Sequence, residues 1–86
     1  MKIVAKAIEV VAWFQKEGLI RPVRFRVEGE DGFKVIKIDQ IVQMEEEKYA
    51  GNRMILFRCQ STIDGIERMY EIKYEIETCQ WMLYKF

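Results

Sequence analysis

Residues 53–77 read RMILFRCQSTIDGIERMYEIKYEIE. At their centre lies Asp64-Gly65, a strong two-residue signal for a type I′ turn, in which both central residues take positive φ. With Asp64 and Gly65 at the turn, Ile63 faces Ile66. Pairing then runs outward through Ser61/Arg68, Cys59/Tyr70, Phe57/Ile72 and Ile55/Tyr74. Side chains alternate along a strand, so these residues share one face, and it is apolar apart from Ser61/Arg68. The opposite face carries Thr62/Glu67, Gln60/Met69, Arg58/Glu71, Leu56/Lys73 and Met54/Glu75, a mixture expected of a solvated surface. A slip of one residue would turn Glu71, Lys73 and Glu75 inward, so the register is expected to be firm. Arg68, on the apolar side but next to the turn, is expected at a rim, with its stem packed and its head in water. A sharper reading puts it at a barrel mouth, within reach of an anion.

The rest of the chain extends this β reading. Residues 3–16 alternate as a strand, with Ile8, Val10, Ala12 and Phe14 on one face, and they are rich in β-branched side chains. Helical spacing of Ile3, Val4, Ala7, Ile8, Val11 and Phe14 keeps an N-terminal helix, and with it an α+β fold, as the alternative. After a turn at Glu17-Gly18, Leu19 to Glu28 form the next strand. Val23, Phe25 and Val27 face one way there, Arg24 and Arg26 the other. Pro22 donates no ladder hydrogen bond, so it belongs at an edge, a strand start or a bulge. A Gly-rich loop, 28–32, precedes a strand from Lys34 to Met44. In that strand Ile41 interrupts the alternation of Ile36, Ile38, Val42 and Met44, which marks either a bulge or a second packing face. Glu45 to Asn52 reads as the longest loop, its glutamates solvated, and Gln80 to Phe86 as a final aromatic strand. The expected fold is a single all-β domain over residues 1–86. About six antiparallel strands form a meander that closes into a small barrel or roll and so removes exposed edges.

Composition limits the chemistry. In 86 residues there are 14 basic and 14 acidic side chains and no histidine. The balanced charge gives no global attraction to polyanions. The lack of histidine removes the commonest general base and metal ligand, so catalysis is not expected. Cys59 and Cys79 lack the partners of a zinc site and are expected to stay reduced. No metal or cofactor is expected. The apolar stretch 1–14 is broken by Lys6 and Glu9 and lacks a cleavage site, and it is too short to span a membrane. A cytoplasmic protein with no membrane association is therefore expected.

Phe14 with Gly18-Leu19-Ile20-Arg21-Pro22 and Phe25, then Gly32 with Ile38 and Ile41, then Trp81, resembles a group of small uncharacterised bacterial all-β proteins. The resemblance covers most of the chain and implies a small bacterial β-protein. It brings no catalytic or binding residues with it.

The expected role is that of a binding or interaction module, with a protein as the leading partner. The alternative is nucleic-acid binding through a basic strand face, with Arg21, Arg24, Arg26 and Lys37 as the candidate ligand surface. No exposed aromatic is evident among those charges, and Glu28, Glu30, Asp31 and Asp39 stand near enough in sequence to neutralise them. A homodimer is a further expectation, because Trp13, Trp81 and Phe86 exceed what so small a core is expected to cover.

Overall fold

The structure, a computed structural model, describes residues 1–86. It contains seven strands and no helix: β1 (Ile3–Phe14), β2 (Ile20–Gly29), β3 (Gly32–Lys37), β4 (Gln40–Tyr49), β5 (Asn52–Ile63), β6 (Ile66–Glu75) and β7 (Gln80–Lys85). All neighbours are antiparallel, and the sheet order is β3-β2-β1-β7-β6-β5-β4. The helix alternative for residues 3–16 is thereby excluded. No ladder joins the edge strands β3 and β4, so the sheet is an open meander and not a closed barrel.

The β5–β6 hairpin has the register expected from its turn, pair by pair, from Ile63/Ile66 to Met54/Glu75. Asp64 and Gly65 both take positive φ, as a type I′ turn requires. Phe57, Cys59, Tyr70 and Ile72 are fully buried, and they join Ile8, Phe25, Ile36, Ile38, Tyr74 and Leu83 in one core. The sheet therefore curls until the inner sides of β2 and β3 meet those of β5 and β6. Phe25 and Tyr70, for example, lie 5.6 Å apart, centroid to centroid.

Several expectations are corrected. The stretch 34–44 is not one strand. It breaks at Ile38-Asp39, where the chain crosses from one edge of the sheet to the other. Glu45 to Tyr49 are not a loop. They continue β4 to a tight turn at Ala50-Gly51, both with positive φ. The irregularity at Ile41 is a bulge, lying between Ile41 and Gln43. Val42 is the extra residue there and is exposed, and Met44, although paired with buried Phe57, is also exposed in this edge strand rather than in the core. Pro22 sits beside a second bulge, where β1 and β2 shift register between Val11 and Ala12. Phe14 lies at the end of β1 and is exposed, with its ring edge on Tyr74. Ile66, expected in the core, is 65% exposed at the hairpin tip.

The largest correction concerns the outer side of the hairpin. Met54, Glu71 and Lys73 are buried there, not solvated. Lys73 lies under the rings of Tyr49 and Tyr84, its Nζ 4.1 and 3.7 Å from their centroids, and 2.6 Å from Glu47 Oε1. Arg58 forks onto Glu71 at 2.7 and 3.2 Å. A register shift between β6 and β7 near Glu71/Ile72 leaves Tyr84 as the extra residue over Lys73. The Arg58/Glu71 pair is given by the hairpin register, but the groups that cover Lys73 come from β4 and β7, so pairing within the hairpin could not reveal them.

The two halves meet along the free edge of β5. Beyond Gln60, where β4 begins, β5 faces the end of β3. Asp39 N donates to Gln60 O at 3.0 Å, and Asp39 Oδ2 accepts from Thr62 N at 2.8 Å. Buried Ser61 joins Lys37 O and the Tyr70 hydroxyl, both at 2.6 Å.

Two stability measurements test this account. Gly65→Val should cost about 1–2 kcal/mol in urea unfolding. A Cβ at Gly65 meets nothing within 4 Å, so the cost is conformational rather than steric. Asp64→Gly should cost much less. Ser61→Ala, which strips a partner from two buried polar groups, should cost about 1–3 kcal/mol.

Candidate nucleic-acid interface

Register decides which side chains share the outer surface of β1, β2 and β3. Across β1 and β2, Glu9 faces Arg26, Val11 faces Arg24 and Trp13 faces Arg21. Across β2 and β3, Arg24 faces Lys37, Arg26 faces Val35 and Glu28 faces Phe33. Alternation places Phe25 and Ile36 on the other side, and both are buried in the core. The four candidate cations Arg21, Arg24, Arg26 and Lys37 therefore lie together on one face. Arg24, Arg26 and Lys37 point away from the core as expected, and Arg21 joins them through the bulge between Val11 and Ala12.

Neutralisation is only partial. Arg26 pairs with Glu9 at 2.5 Å and lies over the Phe33 ring, 4.2 Å from its centroid. Arg21, Arg24 and Lys37 enter none of the ion pairs in the fold. Asp39 is turned to the backbone of Thr62. Arg24 and Lys37 stand directly opposite each other as like charges, an arrangement that destabilises a sheet.

Sequence reasoning missed the aromatics on this face. Trp13 is 69% exposed and Phe33 56%, and Val11 and Val35 are exposed between them. Trp13 sits in the row of Arg21 and Phe33 beside Arg26, about 20 Å apart along the strands at ~3.3 Å per residue. The alternation of β1 does put Trp13 opposite Ile8 and Val10. It does not say that no other layer covers that side. By contrast, Trp81 is packed against Phe57 and Tyr74, and Phe86 against Tyr70. Of the three aromatics expected to overflow the core, only Trp13 does.

The remaining reactive groups are the thiols. Cys59 is buried and Cys79 exposed, and neither is bonded to the other. Burial pushes the Cys59 thiol from 9.0 up to about 12. The Tyr70 hydroxyl beside it is raised too, chiefly by burial. No three His, Cys, Asp or Glu side chains stand close enough to hold a metal ion. No helix is long and apolar enough to cross a membrane.

No family model, curated protein or solved structure matches the chain, so the functional reading rests on this geometry.

The thiol environment gives a testable pH dependence. The unfolded thiol ionises near 9.0 and the folded one near 12. Between those values the unfolded chain binds fewer protons, so stability must fall as pH rises. It is intact below that window, and Cys59 contributes up to about 1.4 kcal/mol per pH unit within it. Urea unfolding of the reduced protein across the window should show this loss, and Cys59→Val should make it shallower. At mildly alkaline pH iodoacetamide should label Cys79 while Cys59 stays unmodified until the chain unfolds.

Proposed function

We propose that the protein is a non-catalytic binding module whose outer β1–β3 face takes single-stranded nucleic acid. One observation carries the reading: the unpaired Arg24/Lys37 couple stands between the exposed rings of Trp13 and Phe33. Phosphates would relieve the repulsion between Arg24 and Lys37, and bases would stack on the rings. That is the pairing of charge and π-surface that sequence-tolerant single-strand binding needs. Exposed aromatics shift the balance away from the protein partner that the sequence alone favours. The open outer face, with exposed rings beside its cations, suits splayed bases better than the grooves of a duplex. Overall neutrality does not oppose the reading, because the cationic surplus is local: Arg21, Arg24, Arg26 and Lys37 against Glu9 and Glu28. A bacterial, cytoplasmic setting, in which both thiols stay reduced, belongs to the same proposal.

Fluorescence anisotropy of a labelled single-stranded oligonucleotide tests it. Binding at low salt should weaken as salt rises. With Arg21, Arg24 and Lys37 each on a phosphate, the log–log slope should be about −2. Arg24→Gln should make the slope shallower by about 0.7. Trp13→Ala should cost about 1–3 kcal/mol of affinity while leaving the slope unchanged. Absence of binding at low salt overturns the reading. So does a concentration-dependent dimer that Trp13→Ala abolishes, because the face would then serve a second copy.

A further inference from the structure

A second site lies at the other end of the inner surface, around the Asp64-Gly65 tip. Three cations occupy inward register positions on three different strands there. Lys6 faces Leu83, Lys34 faces Val27, and Arg68 faces Ser61. Each partner position belongs to the core or packs against it, apart from the buried Ser61. Together these strands enclose a cavity of about 370 Å³. That size lies within the ~300–1,000 Å³ of small-molecule sites. Its walls are apolar: Val27, Ile36, Ile63, Leu83 and Phe86. Phe86 in this wall is backed by the fully buried Tyr70, the two rings 5.7 Å apart.

The rim is cationic beyond what the fold uses. Lys34 Nζ holds Asp64 Oδ2 at 2.7 Å, and Asp64 is the only acid in the lining. Lys6 Nζ donates to Glu28 O at 3.2 Å. Arg68 Cζ lies over the Phe86 ring, 4.0 Å from its centroid, and Arg68 meets no carboxylate. The ring attracts the cation, and its N–H fork is left for an incoming group. A planar fork held in this way suits a carboxylate bidentately. The exposed Ile66 and Val4 continue the apolar wall out to the rim, where solvent would otherwise favour polar residues.

We infer that this cup binds a small amphipathic anion, an alkyl chain ending in a carboxylate, with the chain on Ile36, Ile63, Leu83 and Phe86 and the carboxylate on Arg68. The site is separate from the β1–β3 outer face and does not rest on the nucleic-acid reading. Titrating the ¹⁵N-labelled protein with decanoate, with decanol and decylamine as controls, tests it. Decanoate should move the amides around Ile36, Ile63, Leu83 and Phe86. Arg68→Gln, at an exposed position, should weaken binding about tenfold, the loss of one charge-assisted contact. Decanol should bind wild type about as weakly as decanoate binds this variant, and decylamine more weakly still. Lys34→Gln removes only an exposed ion pair of the fold and provides a second variant. It should lower decanoate affinity by a smaller factor. The inference is overturned if decanoate does not bind, or if decanol matches it. It is equally overturned if Arg68→Gln binds like wild type, or if the shifts fall elsewhere.

Discussion

The register of β5 against β6 is the constraint on which the rest of the structure depends. It is set at one point, where Asp64 and Gly65 both take positive φ and close a two-residue turn. From there, parity decides the side of every residue in the longest ladder of the sheet. One choice puts Phe57, Cys59, Tyr70 and Ile72 inside, each fully buried. The other would put Arg58, Glu71 and Lys73 there. A buried large apolar side chain contributes about 1.5–3 kcal/mol, and an unpaired buried charge costs more than that. The alternative register is therefore not a close competitor. The same parity turns Arg68 inward, next to the turn, where the end of the fold is open enough to hold a charge.

The two outer halves of the sheet handle charge in opposite ways. Over β4–β7, Lys73 is enclosed by Tyr49, Tyr84 and Glu47, and Glu71 is held by Arg58. These groups are stable only because each has a partner, and removing one would leave a buried charge uncompensated. Over β1–β3 the pairing is partial. Arg26 holds Glu9 and lies over Phe33, but Arg24 and Lys37 face each other, Arg21 meets no carboxylate, and Trp13 is exposed beside them. A sheet that needed only to be stable would use the first solution on both sides. The unpaired surface is thus the part of the outer face that folding alone does not explain.

What the sequence discloses follows the range of the interactions. The Asp64-Gly65 hairpin is local, so its pairing could be written residue by residue. Ile41 broke an alternation, and a bulge lies there. Pro22 lacks a donor and lies at another. The failures are non-local. Glu45, Glu46 and Glu47 look like a loop because charge runs usually are solvated. In an edge strand, however, two of them can point outward, and Glu47 finds Lys73 from another strand. The break at Ile38-Asp39 carries no glycine or proline to announce it. It exists because the chain must cross between the edges β3 and β4. Arg24, Arg26 and Lys37 were legible as one face because alternation in two neighbouring strands is enough to align them, whereas Arg21 reaches that face only through the bulge between Val11 and Ala12. The exposure of Trp13 and Phe33 was not, because alternation assigns a side without saying what covers it.

How the curled sheet is held without a closing ladder follows from its edges. β4 occupies the edge of β5 only as far as Gln60. Past that point β3 lies along β5, joined by Asp39 to Gln60 and Thr62, by Ser61 to Lys37, and at the tip by Lys34 to Asp64. These contacts differ in strength along the seam. Ser61 is buried, and its bonds are shielded from water, whereas Lys34 and Asp64 are both largely exposed, and such pairs contribute little. The edges left free are protected from other chains by different means. β3 is short, and β4 carries a bulge and a run of charge. The seam is therefore tightest beside the Ile38-Asp39 crossing and loosest at the Asp64 end, where Arg68, Lys6 and Ile66 surround the cup. At that end β3 runs on past Lys34 to Gly32, but β5 stops at Ile63, and its turn residue Asp64 already stands at Lys34. The free edge that β5 offers to β3 is therefore only the short stretch between Gln60 and the turn, which leaves the sheet unclosed and the inner cavity open beside it.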